Sequence, residues 1–128
     1  MLYKVAVVEF EILYYYNREG HIPVTEFLDE LARTQPRLYR LTVAGIGKIE
    51  NRAYHGPPLT QMIDAEDDIL ELRVGNRDIS RVFFYFLHGR RIVLTNGYVK
   101  KGQKLDDNEL ARAKRYKRDW LVRFPEDA

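Results

Sequence analysis

The feature of this 128-residue sequence that most constrains its fold is a series of three apolar segments joined by very short connections. The segments run from Ile69 to Val74, from Ile79 to Leu87 and from Arg91 to Lys100. Residues 75–78 and the pair His88-Gly89 leave room only for tight turns between them. Connections this short cannot carry a crossover, so the pattern predicts three strands of an antiparallel meander.

The register of the first hairpin follows from its apolar pattern, because opposed residues on antiparallel strands share a face. If Leu72 opposes Val82, the apolar residues of both strands coincide and Arg73 lies opposite Arg81. Two like charges side by side destabilise a sheet. This arrangement therefore requires either a nearby acid, such as Glu71, or an anionic ligand.

The register of the second hairpin stays open. A two-residue turn at His88-Gly89 places Tyr98 and Lys100 on the face of Arg81. A three-residue turn that includes Arg90 places the alternate residues there instead: Gly97, Val99 and Lys101.

Three helices are predicted around these strands. The first begins at Pro23 and has an apolar stripe at helical spacing, made of Val24, Phe27, Leu28 and Leu31. The second follows Pro36, is weakened by two glycines, Gly45 and Gly47, and has the stripe Leu38, Leu41, Ala44 and Ile49. The third is capped by Asp106 and Glu109 and carries Leu110, Ala113, Tyr116, Trp120, Leu121 and Phe124 on one face.

The remaining segments complete the expected order of elements. Tyr3 to Tyr16 is rich in β-branched and aromatic residues and predicts a strand, whereas Tyr54 to Asp68, with two prolines and four acids, predicts a loop. The chain as a whole, residues 1–128, is expected to be one α+β domain. It should have a small antiparallel or mixed sheet, two N-terminal helices and a C-terminal helix.

Composition excludes several classes of protein. The sequence has no cysteine, which removes disulfides and thiol chemistry. Its longest uncharged stretch, Ala53 to Ile63, is far shorter than the roughly 20 apolar residues that a membrane helix needs. Glu9 and Glu11 interrupt the region where an export signal would be apolar, so we expect the cytoplasm. The net charge is −3 over residues 1–89 and +5 over residues 90–128, which favours a polyanionic or acidic partner.

Several chemistries lack the residues that they need. The histidines His21, His55 and His88 are far apart, so no metal site is expected. Ser80 is the single serine and has no nucleophile-elbow glycines around it. The segment 43–48 lacks the first glycine of a phosphate loop, and no cofactor is expected.

What remains is a concentration of Arg, Lys and Tyr in the later half of the chain. RNA cleavage without a metal requires three things: a proton removed from the 2′-hydroxyl, a stabilised phosphate, and a proton given to the leaving oxygen. Arg holds phosphates with its planar fork, and a Lys crowded by other cations has a lowered pKa. The alternative interpretation has no chemistry in it. The arginines would be solvated residues at strand edges or ion-pair partners, Tyr98 would be an aromatic residue of the core, and Lys100 and Lys101 would be a soluble strand end.

Five motifs in order support the nuclease interpretation through a resemblance. They are Pro23-Val24-Thr25-Glu26-Phe27-Leu28, Leu70-Glu71-Leu72-Arg73, Ser80-Arg81-Val82-Phe83-Phe84-Tyr85, Ile92 to Lys101, and Glu109-Leu110-Ala111-Arg112-Ala113. Together, over about residues 22–118, the sequence resembles the phage-derived HigB-like branch of the RelE/ParE toxin superfamily. The resemblance implies a small α+β toxin of a type II toxin–antitoxin system that cuts mRNA on the ribosome without a metal.

The resemblance also implies roles for particular residues. Arg73 and Arg81 would bind the scissile phosphate, while Tyr98 or a lysine of the Lys100–Lys101 pair would move protons. RNA phosphates would meet the basic residues Lys104, Arg112 and Arg115. The sequence departs from the family pattern where Asn96-Gly97-Tyr98 replaces the usual His-Gly-Phe and where Gly102 replaces a Thr.

The expected partners are a HigA-like helix-turn-helix antitoxin and mRNA on the ribosome, with no membrane. Two alternatives remain. ParE-like relatives share the fold but act on DNA gyrase without cutting RNA, and a phage-related protein could keep the scaffold as an inactive binding protein.

Overall fold

The part of the chain that the structure describes contains three α-helices and five strands. The structure is a computed structural model and covers residues 8–101 and 105–128. The helices are α1 (Pro23–Thr34), α2 (Pro36–Lys48) and α3 (Asp107–Arg123). The strands are β1 (Glu11–Tyr14), β2 (Thr60–Asp64), β3 (Ile69–Gly75), β4 (Asp78–Leu87) and β5 (Arg91–Lys101).

The five strands form one mixed sheet in the order β1-β5-β4-β3-β2. The pairs β2–β3, β3–β4 and β4–β5 are antiparallel, as the short connections require, whereas β1 pairs with β5 in parallel. The chain from β1 passes through α1 and α2 before it returns to the sheet. The predicted α+β class, with two helices before the meander and one after it, is therefore confirmed.

The sheet is buried on both faces. One face packs against α1 and α2 around Val24, Ile46, Leu72, Val82 and Phe84. The other packs against α3, where Tyr85, Ala113 and Trp120 are among the buried residues. Successive residues of β3 and β4 alternate between these two layers.

The register of the first hairpin is the predicted one. Leu70 opposes Phe84, Leu72 opposes Val82 and Arg73 opposes Arg81. The apolar residues Leu72 and Val82 lie towards α1 and α2. The two arginines therefore share the face that α3 covers.

The second hairpin combines features of both predicted alternatives. Leu87 pairs with Arg91, so the turn has three residues, with Arg90 in the left-handed region at φ 55. A β-bulge then shifts the register between the Phe84–Leu94 and Val82–Gly97 pairs. Because the extra residue on β5 reverses the alternation, Tyr98 opposes Arg81 after all. The assumption that a three-residue turn excludes Tyr98 from that face was wrong.

Two further sequence predictions need correction. The segment predicted as a loop contains β2, whose residues Thr60 and Gln61 pair with Leu72 and Glu71 of β3. It is an edge strand, so hydrogen bonds on one side suffice and its sequence carries little apolar pattern. The first strand, predicted over Tyr3 to Tyr16, spans only Glu11–Tyr14 within the described residues, and residues 1–7 lie outside them.

The helix ends follow the sequence signals more closely. Pro23 and Pro36 stand at the first turns of α1 and α2, as expected. The Asp106 side chain accepts hydrogen bonds from the backbone N–H groups of Asn108 and Glu109 and so caps α3. No helix in the described ranges is long and apolar enough to cross a bilayer.

Candidate functional site

Three of the predicted site residues form a row across the sheet. Arg73 on β3 is the direct cross-strand neighbour of Arg81 on β4, which is the neighbour of Tyr98 on β5. We call these three residues the Arg–Tyr row. Lys100 opposes Ile79, two positions further along both strands, and so shares the face of the row. The bulge on β5 is what aligns Tyr98 with the two arginines.

Arg81 is the buried centre of the row. Its Nη1 lies 2.7 Å from Oε1 and 2.8 Å from Oε2 of Glu71, and the two side chains are 3% and 0% exposed. Gln61 on the edge strand donates from Nε2 to Glu71 Oε1 at 2.9 Å. Glu71 thus supplies the nearby acid that the opposed arginines require.

Arg73 is half-buried and lies nearer the edge of the sheet. Its backbone N–H donates to the carbonyl of Leu59 at 2.8 Å, just beyond the end of the β2–β3 pairing. It borders a surface groove beside α2. Of the two arginines, Arg73 is the more accessible to a ligand.

Tyr98 connects the row to the start of α3. Its hydroxyl oxygen accepts a hydrogen bond from the backbone N–H of Asp106 at 3.2 Å, and its ring lies 5.7 Å from that of Phe83. Burial raises the pKa of the Tyr98 hydroxyl above its ordinary value of 10.0, because desolvation penalises the phenolate. The hydroxyl therefore keeps its proton at neutral pH and can donate it.

Lys100 reaches the same carboxylate group that caps α3. Its Nζ lies 3.9 Å from Asp106 Oδ2, and both side chains are about one-third exposed. A pair at this distance and exposure is weak, so an anionic ligand can compete for the ammonium group. Asp106 was predicted only as a helix cap, and its contacts with Tyr98 and Lys100 place it within the site.

The structure does not bring the other predicted site residues into contact with the Arg–Tyr row within the described residues. Lys101 ends β5, and its side chain, like the whole of Lys104, lies outside the described residues. Arg112 and Arg115 are exposed on α3, and Arg112 Nη1 lies 3.1 Å from Glu109 Oε1. Their surface lies on the same side of the sheet as the Arg–Tyr row.

Two polar contributors were not predicted as part of the site. Gln61 was missed because its segment was assigned to a loop, and no signal in the sequence pairs it with Glu71. Asn96 donates from Nδ2 to Glu109 Oε2 at 3.0 Å and so joins the bulge to α3. Within the described residues, no group of three or more His, Asp or Glu side chains is arranged to hold a metal ion.

Comparison with known proteins is consistent with this architecture. A family model described as phage-derived protein Gp49-like (DUF891) matches residues 27–118, which include all of the Arg–Tyr row. No curated protein matches the chain. Because the family model spans well over half of the sequence, the chain belongs to the Gp49-like family of phage-derived proteins.

Proposed function

We propose that this chain is the toxin of a type II toxin–antitoxin pair and a metal-independent endoribonuclease of the HigB kind, which cuts mRNA on the ribosome. The observation that carries the proposal is the Arg–Tyr row with Lys100 beside it on one sheet face. The association of the Gp49-like family with RelE-like toxins also supports it. A row of cations ending in a protonated phenol offers both charge stabilisation and proton transfer to a phosphodiester.

Each arginine takes a role that its position allows. Arg73, the more accessible of the two, binds the scissile phosphate, because its fork can donate to two phosphate oxygens. The Arg81 side chain is 3% exposed and held by Glu71, so it acts as a fixed positive charge between Arg73 and Tyr98 and as a positioning residue. The resemblance implies that both arginines contact the phosphate, whereas the burial of Arg81 favours Arg73 alone in that role.

Proton transfer falls to Tyr98 and the lysines. A lysine of the Lys100–Lys101 pair acts as the base and takes the proton of the 2′-hydroxyl, whose oxygen then bonds to phosphorus. The bond from phosphorus to the 5′-oxygen breaks, and the protonated Tyr98 hydroxyl gives its proton to that leaving oxygen. The products are a 2′,3′-cyclic phosphate and a 5′-hydroxyl.

Binding of RNA outside the cleavage point would use the basic surface that Lys104, Arg112 and Arg115 provide. Contacts of this kind release counterions from the RNA, so affinity should fall steeply as salt rises. The protein partner in this proposal is a HigA-like helix-turn-helix antitoxin, and the compartment is the cytoplasm. Basic toxin surfaces of this kind favour acidic antitoxin segments.

The test is primer extension on cellular mRNA after induction of the wild-type chain and of Arg73→Ala. New 5′ ends should appear with the wild type and be lost with Arg73→Ala. The matched control is Arg40→Ala, an exposed arginine on α2 outside the proposed RNA surface, which should keep the cleavage sites. Arg73 is preferred to Arg81 here because removing Arg81 would leave Glu71 buried without its cation and endanger folding. Growth arrest without new 5′ ends in the wild type would refute the nuclease assignment.

One observation favours a second candidate, a non-nucleolytic binding protein, such as a ParE-like gyrase toxin or an inactive phage-related protein. Arg81 already binds a buried carboxylate, as a structural ion pair would. In that case Arg73→Ala would leave growth inhibition intact, and a gyrase-directed chain would block DNA supercoiling in a purified assay.

A further inference from the structure

A broad groove runs along α2 on the side of the sheet that α1 and α2 cover. We call it the α2 groove. It has a volume of about 1060 Å³, and Leu38, Leu41, Pro58, Leu59 and Val74 form its apolar lining. A smaller concavity of about 370 Å³ shares Lys48 and Tyr54 with it and extends it towards the C-terminal end of α2. The two together follow most of the length of the helix.

The exposed side of α2 that faces this groove is apolar or small. The helix buries Leu38, Thr42, Gly45 and Ile46 against the rest of the protein. Leu41 is 42% exposed, although its spacing predicted a core position, and Ala44, one turn further on, is exposed as well. Exposed apolar residues that continue along one helix and line a concave surface are typical of a binding site for another protein.

The border of the groove is positively charged. Its described lining includes the cationic residues Arg37, Lys48 and Arg77 and one acidic residue, Asp78, and Arg73 borders it from the neighbouring strand. Among the residues that the structure describes, Arg37, Lys48 and Arg77 make no ion pair. A ligand with an apolar face and acidic flanks would therefore complement both the lining and the border.

We propose that the α2 groove is a docking site for an acidic amphipathic helix of a protein partner. Such a helix presents apolar side chains at i, i+3, i+4 and i+7, which suits a long apolar groove. Its carboxylates would meet Arg37, Lys48 and Arg77. Leucine and proline side chains offer no aromatic ring for base stacking, and Tyr54 is the single aromatic residue of the described lining, so the surface is poorly suited to a nucleic acid strand.

The α2 groove and the face that carries the Arg–Tyr row are on different sides of the sheet. Leu72 and Val82 separate α2 from the face that carries Arg81 and Tyr98. Arg73 borders both surfaces. The partner would thus bind next to the phosphate-binding arginine while leaving Tyr98 and Lys100 uncovered. Docking in the groove does not require RNA cleavage, so a chain that is only a binding protein would show it as well.

The experiment is a display selection of random peptides of about 16 residues, which is enough for about four helical turns. The full chain is the target, and each enriched peptide is then measured by fluorescence anisotropy against three variants. Leu41→Glu places a carboxylate in the groove at an exposed helical position. Arg77→Glu reverses one border charge on the β3–β4 turn. Val122→Glu is the matched control, because Val122 is 71% exposed on α3.

We expect enriched peptides with a negative net charge and apolar residues at helical spacing. Their affinity should fall by about tenfold or more with Leu41→Glu and with Arg77→Glu, and should be unchanged with Val122→Glu. Circular dichroism of each variant verifies that the fold is retained. If Leu41→Glu does not fold, the loss of affinity with Arg77→Glu tests the proposal on its own.

Other results would overturn the proposal. Enriched peptides that are basic or lack helical spacing, or that bind Leu41→Glu as well as the wild type, exclude the groove as the site. A single-stranded RNA oligonucleotide that loses affinity with Leu41→Glu would show a nucleic acid surface instead. A dimer of the wild type that Leu41→Glu converts to monomer would show that a second copy of the chain occupies the groove.

Discussion

The guanidinium group of Arg81 donates from one nitrogen to both carboxylate oxygens of Glu71, and the sheet and α3 bury the pair together. The two residues lie on neighbouring strands, and their side chains share the face covered by α3. Desolvating two charges costs several kcal/mol per ion, so the pair contributes little net stability even though each partner depends on the other. Its effect is to fix a positive charge between Arg73 and Tyr98.

This dependence gives a prediction about stability. Glu71→Gln should lower the free energy of unfolding by about 3–5 kcal/mol, because the buried guanidinium loses its carboxylate. The double variant Glu71→Leu with Arg81→Met should recover most of that loss, since no charge then remains to be desolvated. Urea unfolding of the two variants and the wild type measures both effects. A double variant that is no more stable than Glu71→Gln would contradict this account of the pair.

The Tyr98 hydroxyl gives a prediction about activity. Tyr98→Phe should slow RNA cleavage by about 10²- to 10⁴-fold, because the leaving oxygen loses its proton donor. The fold should persist, since the lost hydrogen bond to Asp106 is worth only about 0.5–1.5 kcal/mol. Cleavage of a labelled RNA and thermal unfolding are measured on the same preparations.

The same position also fixes the expected pH dependence. Because burial raises the pKa of Tyr98 above 10.0, the wild-type rate should show no loss from phenol ionisation up to about pH 10. If Tyr98→Phe cleaves RNA as fast as the wild type, the Tyr98 hydroxyl has no part in the mechanism.

Gly97 and Gly47 form a matched pair for a packing prediction. A Cβ on Gly97 would lie 2.5 Å from the Phe27 ring and 3.2 Å from the Arg81 carbonyl oxygen, so Gly97→Ala should cost about 1–3 kcal/mol. A Cβ on Gly47 would meet nothing within 4 Å, so Gly47→Ala should stabilise the helix by about 0.5–1 kcal/mol. Chemical denaturation compares the two. Equal effects would show that Phe27 moves aside freely.

The sequence is sufficient to predict the parts of the fold that depend on local periodicity. The Arg73–Arg81 pairing follows from the alternation of apolar residues, because a shift of one residue would turn Leu72 and Val82 away from the core. The beginning of α3 follows from Asp106, whose side chain satisfies backbone donors wherever the helix packs. These features need no knowledge of distant parts of the chain.

The remaining features depend on contacts between distant residues. Alternation alone cannot locate the bulge on β5, because two residues, Thr95 and Asn96, fit where one would normally pair with Phe83. The burial of Arg81 depends on α3 and on the edge strand that carries Gln61. The exposure of Leu41 shows a different limit, since an apolar stripe indicates that a face is covered without indicating which molecule covers it.

The C-terminal end gives a prediction about acid stability. Asp127 Oδ1 accepts from Arg91 at 2.7 Å, and Oδ2 accepts from the indole N–H of Trp120 at 3.0 Å. The hydrogen bond from Arg91, followed by that from Trp120, holds the pKa of the Asp127 carboxyl below its ordinary value of 3.8. The ionised carboxylate therefore stabilises the fold above about pH 4, and this contribution is lost as the pH falls through the lower folded-state pKa.

Asp127→Asn should consequently lose stability at neutral pH and show a weaker decline than the wild type below about pH 4. Asp29→Asn is the control, because Asp29 is exposed on α1 and makes no described ion pair. Trp120 is the single tryptophan, so its fluorescence reports unfolding at the position concerned. If Asp127→Asn and Asp29→Asn follow the same curve from pH 7 to about pH 2, the contact between Arg91 and Asp127 does not contribute to acid sensitivity.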